Sequence, residues 1–371
     1  MRVLQAVASW GMGGAERVAL LLTQSLARDG VPVALAAAPG FLDAEVPAEV
    51  VRYRVPDHGR SVLGTLSTAV RTTRVIRDFE PTLVHAHGAK VPAVVLAARR
   101  LVPRARRPPV LVTFHAVAPR DLPMAARILA RADHVVCVSQ ALRDRLIAAG
   151  VQPGRASVIY NSVSPSEPVA APRVRALEHE LGLDDAPVVC LVGRLVEQKR
   201  PERFVDMAAE IAARDDTVRF LIVGDGPLRH ATEARARQRG VEHAIHFIGQ
   251  CDDARPLIAR ARAMVFTSDW EGLSVAALEA LETGVPVVAT DTDGMRELLS
   301  SGAGVVVGDA APTALAREVL DLLHDPARHE RMARCGRELI ARQFAPEAMI
   351  AAYRALYTRL LQAGSRPDIG G

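Results

Sequence analysis

Residues 187–224 read PVVCLVGRLVEQKRPERFVDMAAEIAARDDTVRFLIVG, and the fold turns on this stretch. Its two ends, PVVCLVG and VRFLIVG, are near-continuous apolar runs. Runs of that kind are strands buried on both faces. The piece between them, RPERFVDMAAEIAARDD, has helical periodicity and polar ends. Strand, helix, strand of this type is a βα repeat, and βα repetition builds a parallel, doubly wound sheet.

The same alternation runs along the chain. The first half offers VLQAVA, VPVALAA, TLVHAH, VLVTFH, HVVCVS and SVIYNS as strands. The second offers PVVCLVG, VRFLIVG, AIHFIG, RAMVFTS, PVVAT and GVVVG. Helical pieces such as GGAERVALLLTQSLARDG lie between them. A Pro- and Ser-rich stretch, SPSEPVAAPRVRALEHELGLDDA, separates the halves at about 162–186 and resumes as a short helix. At 371 residues, two domains are the natural expectation. The expected layout is an N-terminal Rossmann-like domain over 1–165 and a C-terminal Rossmann-like domain over 166–345. Residues 346–371 should form a helix crossing back to the first domain, then a disordered tail, AGSRPDIGG. Ligands of such sheets bind at the carboxyl ends of the strands, so the two domains are expected to face one another across a cleft.

Composition narrows the classes. Apolar residues are 49% and charged residues 24%, as in folded globular chains. Aromatic residues are 4%, too few for stacking platforms on single-stranded nucleic acid. No apolar run approaches the roughly 18–20 residues of a membrane span. The chain opens on a strand-like run, MRVLQAVAS, with no visible signal peptide. Cys137, Cys190, Cys251 and Cys335 lack metal-ligand spacing and read as buried hydrophobes of a reducing, cytoplasmic setting. No metal is expected. Residues 1–165 hold 21 Lys/Arg against 11 Asp/Glu, a net +10, leaving 25 against 31, or −6, for the rest. A basic N-terminal half can attract phospholipid or phosphorylated acceptors, with peripheral contact at the inner membrane face; a high-GC genome produces the same bias.

Several strand ends carry residues suited to chemistry. After the first strand, Gly11, Gly13 and Gly14 precede a helix starting near Ala15. Such a turn brings backbone N–H groups toward an anion or a sugar hydroxyl. The spacing is neither the dinucleotide fingerprint nor a Walker loop. His85, His87 and His115 sit at strand ends, where each is either a satisfied structural histidine or a cleft residue; no third ligand supports a metal at His85 and His87. Arg194 follows a strand and a glycine, and Lys199 comes just before a helix start. Two cations placed so suit a diphosphate, Arg by forked hydrogen bonds and Lys as a point charge. Asp225–Gly226 is a turn that can also approach a nucleotide.

The most telling stretch is SDWEGLSVAALEALETGVPVVAT, residues 268–290. It reads as strand end, loop, then a helix from about Ser274, with Ser274 as its cap. The free N–H groups of that helix start favour a phosphate. Glu271 in the loop can accept from sugar hydroxyls, and Glu279, about one and a half turns into the helix, from a ribose diol. Two solvated helix acids are the bland alternative.

Taken in order, these pieces resemble the retaining GT-B glycosyltransferases of family 4 over nearly the whole chain. The resemblance rests on GGAE (Gly13, Gly14, Ala15, Glu16), LVTFH ending in His115, VCVSQALRDRL, VIYNSV, VGRLVEQKRPE, LIVGDGPLR, HFIGQCDD and the E-x(7)-E segment EGLSVAALE followed by GVPVVAT. It implies the GT-B architecture, with 1–165 as the acceptor-binding domain and 166–345 as the sugar-nucleotide-binding domain, and transfer from a nucleotide sugar, UDP- or GDP-linked, without a cofactor or catalytic metal. Arg194 and Lys199 would hold the diphosphate, with Gly226 beside the nucleotide. Glu271 would bind the donor sugar, with Gly272, Leu273, Ser274 and Val275 at the helix start. Glu279 would hold the ribose. His115 would face the donor sugar, and with Glu271 forms the catalytic pair of the expectation. The Gly13–Gly14 loop would line the diphosphate and the acceptor side, with His85 and Ser139 also on the acceptor side. Where the family often has PNGVD this chain has YNSVS, Tyr160 to Ser164, and VPDHGRSVLG at 55–64 carries none of the motifs on which the resemblance rests.

The leading expectation is therefore a retaining hexosyltransferase acting on a glycan, lipid-linked or natural-product acceptor, as in polysaccharide biosynthesis, with no nucleic-acid partner. A sugar-nucleotide epimerase or phosphorylase on the same architecture is the alternative, and a non-catalytic binding protein is a third.

Overall fold

The computed structural model describes residues 1–11, 13–56, 62–163, 169–183 and 185–364. Part of the 55–64 segment, part of the interdomain linker, Ser164 of YNSVS and residues 365–371 of the C-terminal tail lie outside the described residues. The chain divides into two compact units, Met1–Asn161 with Pro346–Gly371, and Ser162–Ala345.

The first unit holds seven strands: β1 (Val3–Ser9), β2 (Val33–Ala38), β3 (Val51–Arg54), β4 (Leu83–His87), β5 (Val110–Phe114), β6 (His134–Cys137) and β7 (Ala156–Val158). Their order is β3-β2-β1-β4-β5-β6-β7, and every pairing is parallel. The helices of this unit are α1 (Gly14–Arg28), α2 (Val62–Phe79), α3 (Val91–Arg100), α4 (Leu122–Leu129), α5 (Gln140–Ala148) and, from the far end of the chain, α14 (Pro346–Gly364).

The second unit begins with α6 (Ala171–Leu181) and carries β8 (Val188–Val192), β9 (Arg219–Val223), β10 (Ile245–Gly249), β11 (Ala263–Phe266), β12 (Val287–Thr290) and β13 (Gly304–Val307). The order is β10-β9-β8-β11-β12-β13, again all parallel. Its helices continue as α7 (Pro201–Ala212), α8 (Arg229–Arg239), α9 (Arg255–Arg260), α10 (Val275–Thr283), α11 (Asp293–Leu299), α12 (Pro312–His324) and α13 (Pro326–Gln343).

The sequence explains this arrangement directly. The core strands β1, β4, β5, β8, β9 and β11 are buried along almost every residue, as helices on both faces require. One strand departs from the expectation. β3, VRYR, has no apolar run, is almost wholly exposed and lies at the sheet edge. Its arginines blunt that edge against further pairing. SVIYNS yields only three residues of strand, β7, at the opposite edge. α7 starts at a proline, where no amide is missed, and α10 ends on Gly284 in the left-handed conformation.

In each sheet the order reverses once, between β1 and β4 and between β8 and β11. Loops leaving the carboxyl ends of those strands diverge and leave a crevice. In the second unit that crevice depends on a close backbone approach. A side chain at Gly294, in α11, would put its first carbon 1.2 Å from the Gly272 carbonyl oxygen. Gly294→Ala should therefore destabilise the C-terminal unit by about 1–3 kcal/mol, as overpacking does. The check is its melting temperature, which should fall by several degrees; an unchanged transition would contradict the packing.

Candidate functional site

Four loops meet around the reversal point of the second sheet, those after β8, β9, β11 and β12, because their strands are neighbours. The β8 and β9 loops are sewn backbone to backbone. Leu195 N donates to Asp225 O at 2.9 Å and Leu228 N to Leu195 O at 3.0 Å. A Cβ at Gly226 would lie 2.4 Å from the Leu195 carbonyl oxygen. Gly226 is thus explained by this packing.

The β8 loop is tied as firmly to the β11 loop. Asp269 N donates to Gln198 O at 2.9 Å, and Gln198 Nε2 returns a bond to Trp270 O at 2.8 Å. Thr267 Oγ1 donates to Lys199 O at 2.8 Å. Arg203 bonds Thr267 O at 2.6 Å and Asp269 at 2.8 Å. At the centre, Lys199 Nζ forms an ion pair with Glu271, whose side chains are 19% and 7% exposed. Ser268 Oγ donates to the same Glu271 oxygen at 2.6 Å, and the Lys199 ammonium lies 5.9 Å from the Phe266 ring centre. A carboxylate this buried persists because it is paired and hydrogen-bonded. Next to Lys199, Arg200 adopts a left-handed backbone, φ 50°. Strain of this kind in a non-glycine persists only where surrounding bonds hold it.

Arg194 differs from Lys199. It is exposed, and its side chain has no ion-pair partner among the described residues. The loop then runs through Gly272 and Leu273, both buried, to α10. Ser274 takes the capping position, but its hydroxyl makes no cap bond, which corrects that expectation. Val275 opens the helix, and Glu279, half-buried, lies four residues further on. Arg255 faces this acid from α9: its bond to Asp253 and the charges of Asp253, Glu279 and Glu282 raise its pKa.

In the first unit, Gly13 caps α1 and Gly14 is its first residue. The Glu16 carboxylate folds back over Gly13, so close that a Cβ there would meet it at 2.2 Å. This helix start is already faced by an acid. His115 follows β5, half-buried, with its Nε2 atom buried and unpartnered. His85 is fully buried, its ring bonded to Tyr357 at 2.8 Å and Thr113 at 2.7 Å. It belongs to the core, and the acceptor-side placement is corrected. Ser139 is likewise buried and caps α5 by accepting from Leu142 N. It too leaves the acceptor-side set.

Residues 175–339 match the family model of glycosyl transferases group 1, and residues 12–167 that of Glycosyltransferase Family 4. A GDP-mannose-dependent alpha-(1-6)-phosphatidylinositol monomannoside mannosyltransferase of Mycolicibacterium smegmatis is 31% identical over 302 residues, 77% of this chain and 78% of that protein. The chain belongs to the group 1 glycosyltransferases. The lipopolysaccharide core biosynthesis glycosyltransferase LpsE of Rhizobium meliloti is 27% identical over 354 residues, 93% of this chain and 95% of LpsE. Among solved structures, Anabaena HepE in complex with UDP and glucose superposes with a TM-score of 0.83 at 20% identity, covering 97% of this chain and all of HepE. The fold of this glycosyltransferase is GT-B. No helix among the described residues is long and apolar enough to cross a membrane.

Sequence reasoning missed Ser268, Gln198, Gly294 and the tyrosines of α14. Ser268 lay three residues before Glu271 in the stretch already singled out, but a lone serine carries no signal until its strand end is placed.

Burial also sets a pH response. It lowers His85 to about 3, with His115 adding to the effect, and lowers His115 to about 4. His87 is held well below its ordinary value by burial and by the other two rings. In the unfolded chain each titrates near about 6.5. Below that pH the unfolded chain binds protons that the folded one refuses, so stability falls as pH drops from about 6.5 toward about 4. Above about 6.5 neither state is protonated and these groups contribute no slope. Melting temperatures between pH 7 and 5.5 should show the decline before most carboxylates titrate; a flat profile would refute it.

Proposed function

We propose that this glycosyltransferase takes a nucleotide-sugar donor on its C-terminal unit and transfers the sugar with retention to a hydroxyl of a glycan or lipid-linked acceptor. The observation that carries the reading is the part-buried Lys199–Glu271 pair at the sheet's reversal point, with Arg194 exposed on the Lys199 loop and without an ion-pair partner among the described residues. Lys199 and Arg194 supply the positive charge a departing diphosphate needs. The start of α10, from Leu273 to Val275, offers backbone N–H groups and a favourable dipole to the same phosphates. Glu271 accepts from sugar hydroxyls and Glu279 from the ribose. His115 is assigned to the donor sugar. Gly13 and Gly14, faced by Glu16, suit a hydroxyl-bearing acceptor better than a further phosphate.

In the proposed step the bond from the anomeric carbon to the diphosphate oxygen breaks. The acceptor oxygen bonds the same face of that carbon, and its proton passes to the leaving diphosphate. UDP and glucose in HepE, and the GDP-mannose of the mycobacterial relative's name, support a nucleotide-sugar donor.

The acceptor side has its own support. α2 exposes Leu63 at 79%, Leu66 at 56% and Val70 at 46%, with Arg71, Arg74 and Arg77 exposed further along the helix. An apolar stripe continued by cations suits an anionic bilayer surface, and so a lipid-linked acceptor.

Three measurements test these assignments. Lys199→Ala and Arg194→Ala should each weaken UDP or GDP binding by about 10–100-fold, the scale of losing a strong charge-assisted contact, as read by calorimetry. Wild-type affinity in both variants would sink the donor assignment, and a product with inverted anomeric configuration by NMR would sink retention. Leu63→Ser with Leu66→Ser should reduce co-sedimentation with phosphatidylglycerol vesicles several-fold; equal binding would remove the membrane contact.

A further inference from the structure

A buried chain of hydrogen bonds joins the last helix to the strand that leads into His115. Tyr353 and Tyr357 lie four residues apart on α14, so both hydroxyls enter the N-terminal unit from one helix face. They are 1% and 0% exposed. The Tyr357 hydroxyl lies 2.8 Å from His85 Nδ1 and 3.4 Å from Gln5 Nε2. His85 Nε2 lies 2.7 Å from Thr113 Oγ1, which is 2.8 Å from the Tyr353 hydroxyl. Gln5 Oε1 lies 2.9 Å from His87 Nε2.

An amide oxygen only accepts, so His87 Nε2 carries the hydrogen and Nδ1 is a bare acceptor. That Nδ1 is buried without a partner, as is Nε2 of His115. The two rings are stacked with centres 6.0 Å apart. Turning the Gln5 amide over would instead leave His87 with a buried, unpaired N–H, and ring N–H groups stranded that way are the costlier case. Thr113 is two residues before His115 on the same chain segment. Both arms of the network therefore end beside His115: one through Gln5 and His87, the other through His85 and Thr113.

We infer that Tyr353 and Tyr357 are positioning residues for glycosyl transfer: from the C-terminal helix they fix the His87 tautomer and hold the His115 ring in its reactive placement. The inference rests on the assignment of His115 to the donor sugar. α14 is then more than a brace, because its hydroxyls set the chemical state of a histidine row formed by β4 and the end of β5.

Selective ¹⁵N-histidine labelling of the full chain reads the tautomers directly. His87 should appear as the Nε2–H form, and Tyr357→Phe should convert it to a mixture while the protein stays folded. Release of UDP from UDP-glucose, or GDP from GDP-mannose, reads turnover without an identified acceptor. Tyr353→Phe and Tyr357→Phe should each lower kcat about 10-fold at unchanged KM, the scale of a small misplacement at a reacting centre. Tyr53→Phe, whose hydroxyl bonds Asp78 away from this network, should behave as wild type. An Nδ1–H form of His87, an unaltered tautomer in Tyr357→Phe, or wild-type kcat in both variants would overturn the inference. His115→Ala separates the two readings. If it turns over normally, the sugar assignment fails; if it is impaired while the tyrosine variants are not, only the positioning role fails.

Discussion

Parallel pairing is the constraint from which the rest follows. No strand of either sheet can be joined to its neighbour by a hairpin, so each must be followed by a crossover. All carboxyl ends therefore emerge along one edge of each sheet. The order reverses once per sheet, and there the departing loops separate. In the C-terminal unit this places the loops after β8 and β11 side by side although 72 residues separate Lys199 from Glu271. Nothing in the local sequence around either residue requires the other. The topology brings them together.

Once together, the two loops must satisfy what they bury. Glu271 is 7% exposed, and a carboxylate in that setting needs a counter-charge and a donor. Lys199 and Ser268 provide them. The surrounding bonds from Gln198, Thr267 and Arg203 hold both loops rigid, which is the condition for a site whose charges are placed before a ligand arrives. The strained backbone at Arg200 and the missing side chain at Gly294 belong to the same device. One lets the chain turn into α7 immediately after Lys199; the other lets α11 press on the Glu271–Gly272 carbonyls.

How far this was legible depended on the physical signal each part leaves. Doubly buried strands are continuous apolar runs, so β1, β8 and β9 were plain. β3 was not, because an exposed edge strand of alternating Val, Arg and Tyr needs no apolar run. The spacing of Glu271 and Glu279 around a helix start was legible because strand, loop and helix are contiguous there. Ser268 and Gly294 were not, since their roles exist only after distant loops meet. His85 and Ser139 were misplaced for the converse reason. A polar residue at a strand end can turn outward or inward, and the inward choice was decided by Tyr357 and Thr113 for one and by the α5 amide of Leu142 for the other.

The two cations of the β8 loop are not equivalent, and their difference bears on how a donor is received. Lys199 is already neutralised by Glu271, whereas Arg194 is exposed and has no ion-pair partner among the described residues. On the proposed reading, an arriving diphosphate meets Arg194 first, at little desolvation cost, and must then share Lys199 with the carboxylate. Any weakening of the Lys199–Glu271 bond frees Glu271 acceptor capacity where the sugar hydroxyls would lie, so phosphate and sugar recognition are coupled through one ion pair. A nucleoside diphosphate without its sugar would loosen the pair while giving Glu271 no new donor. That is a physical reason for an intact nucleotide sugar to be held better than its phosphate contacts alone would predict.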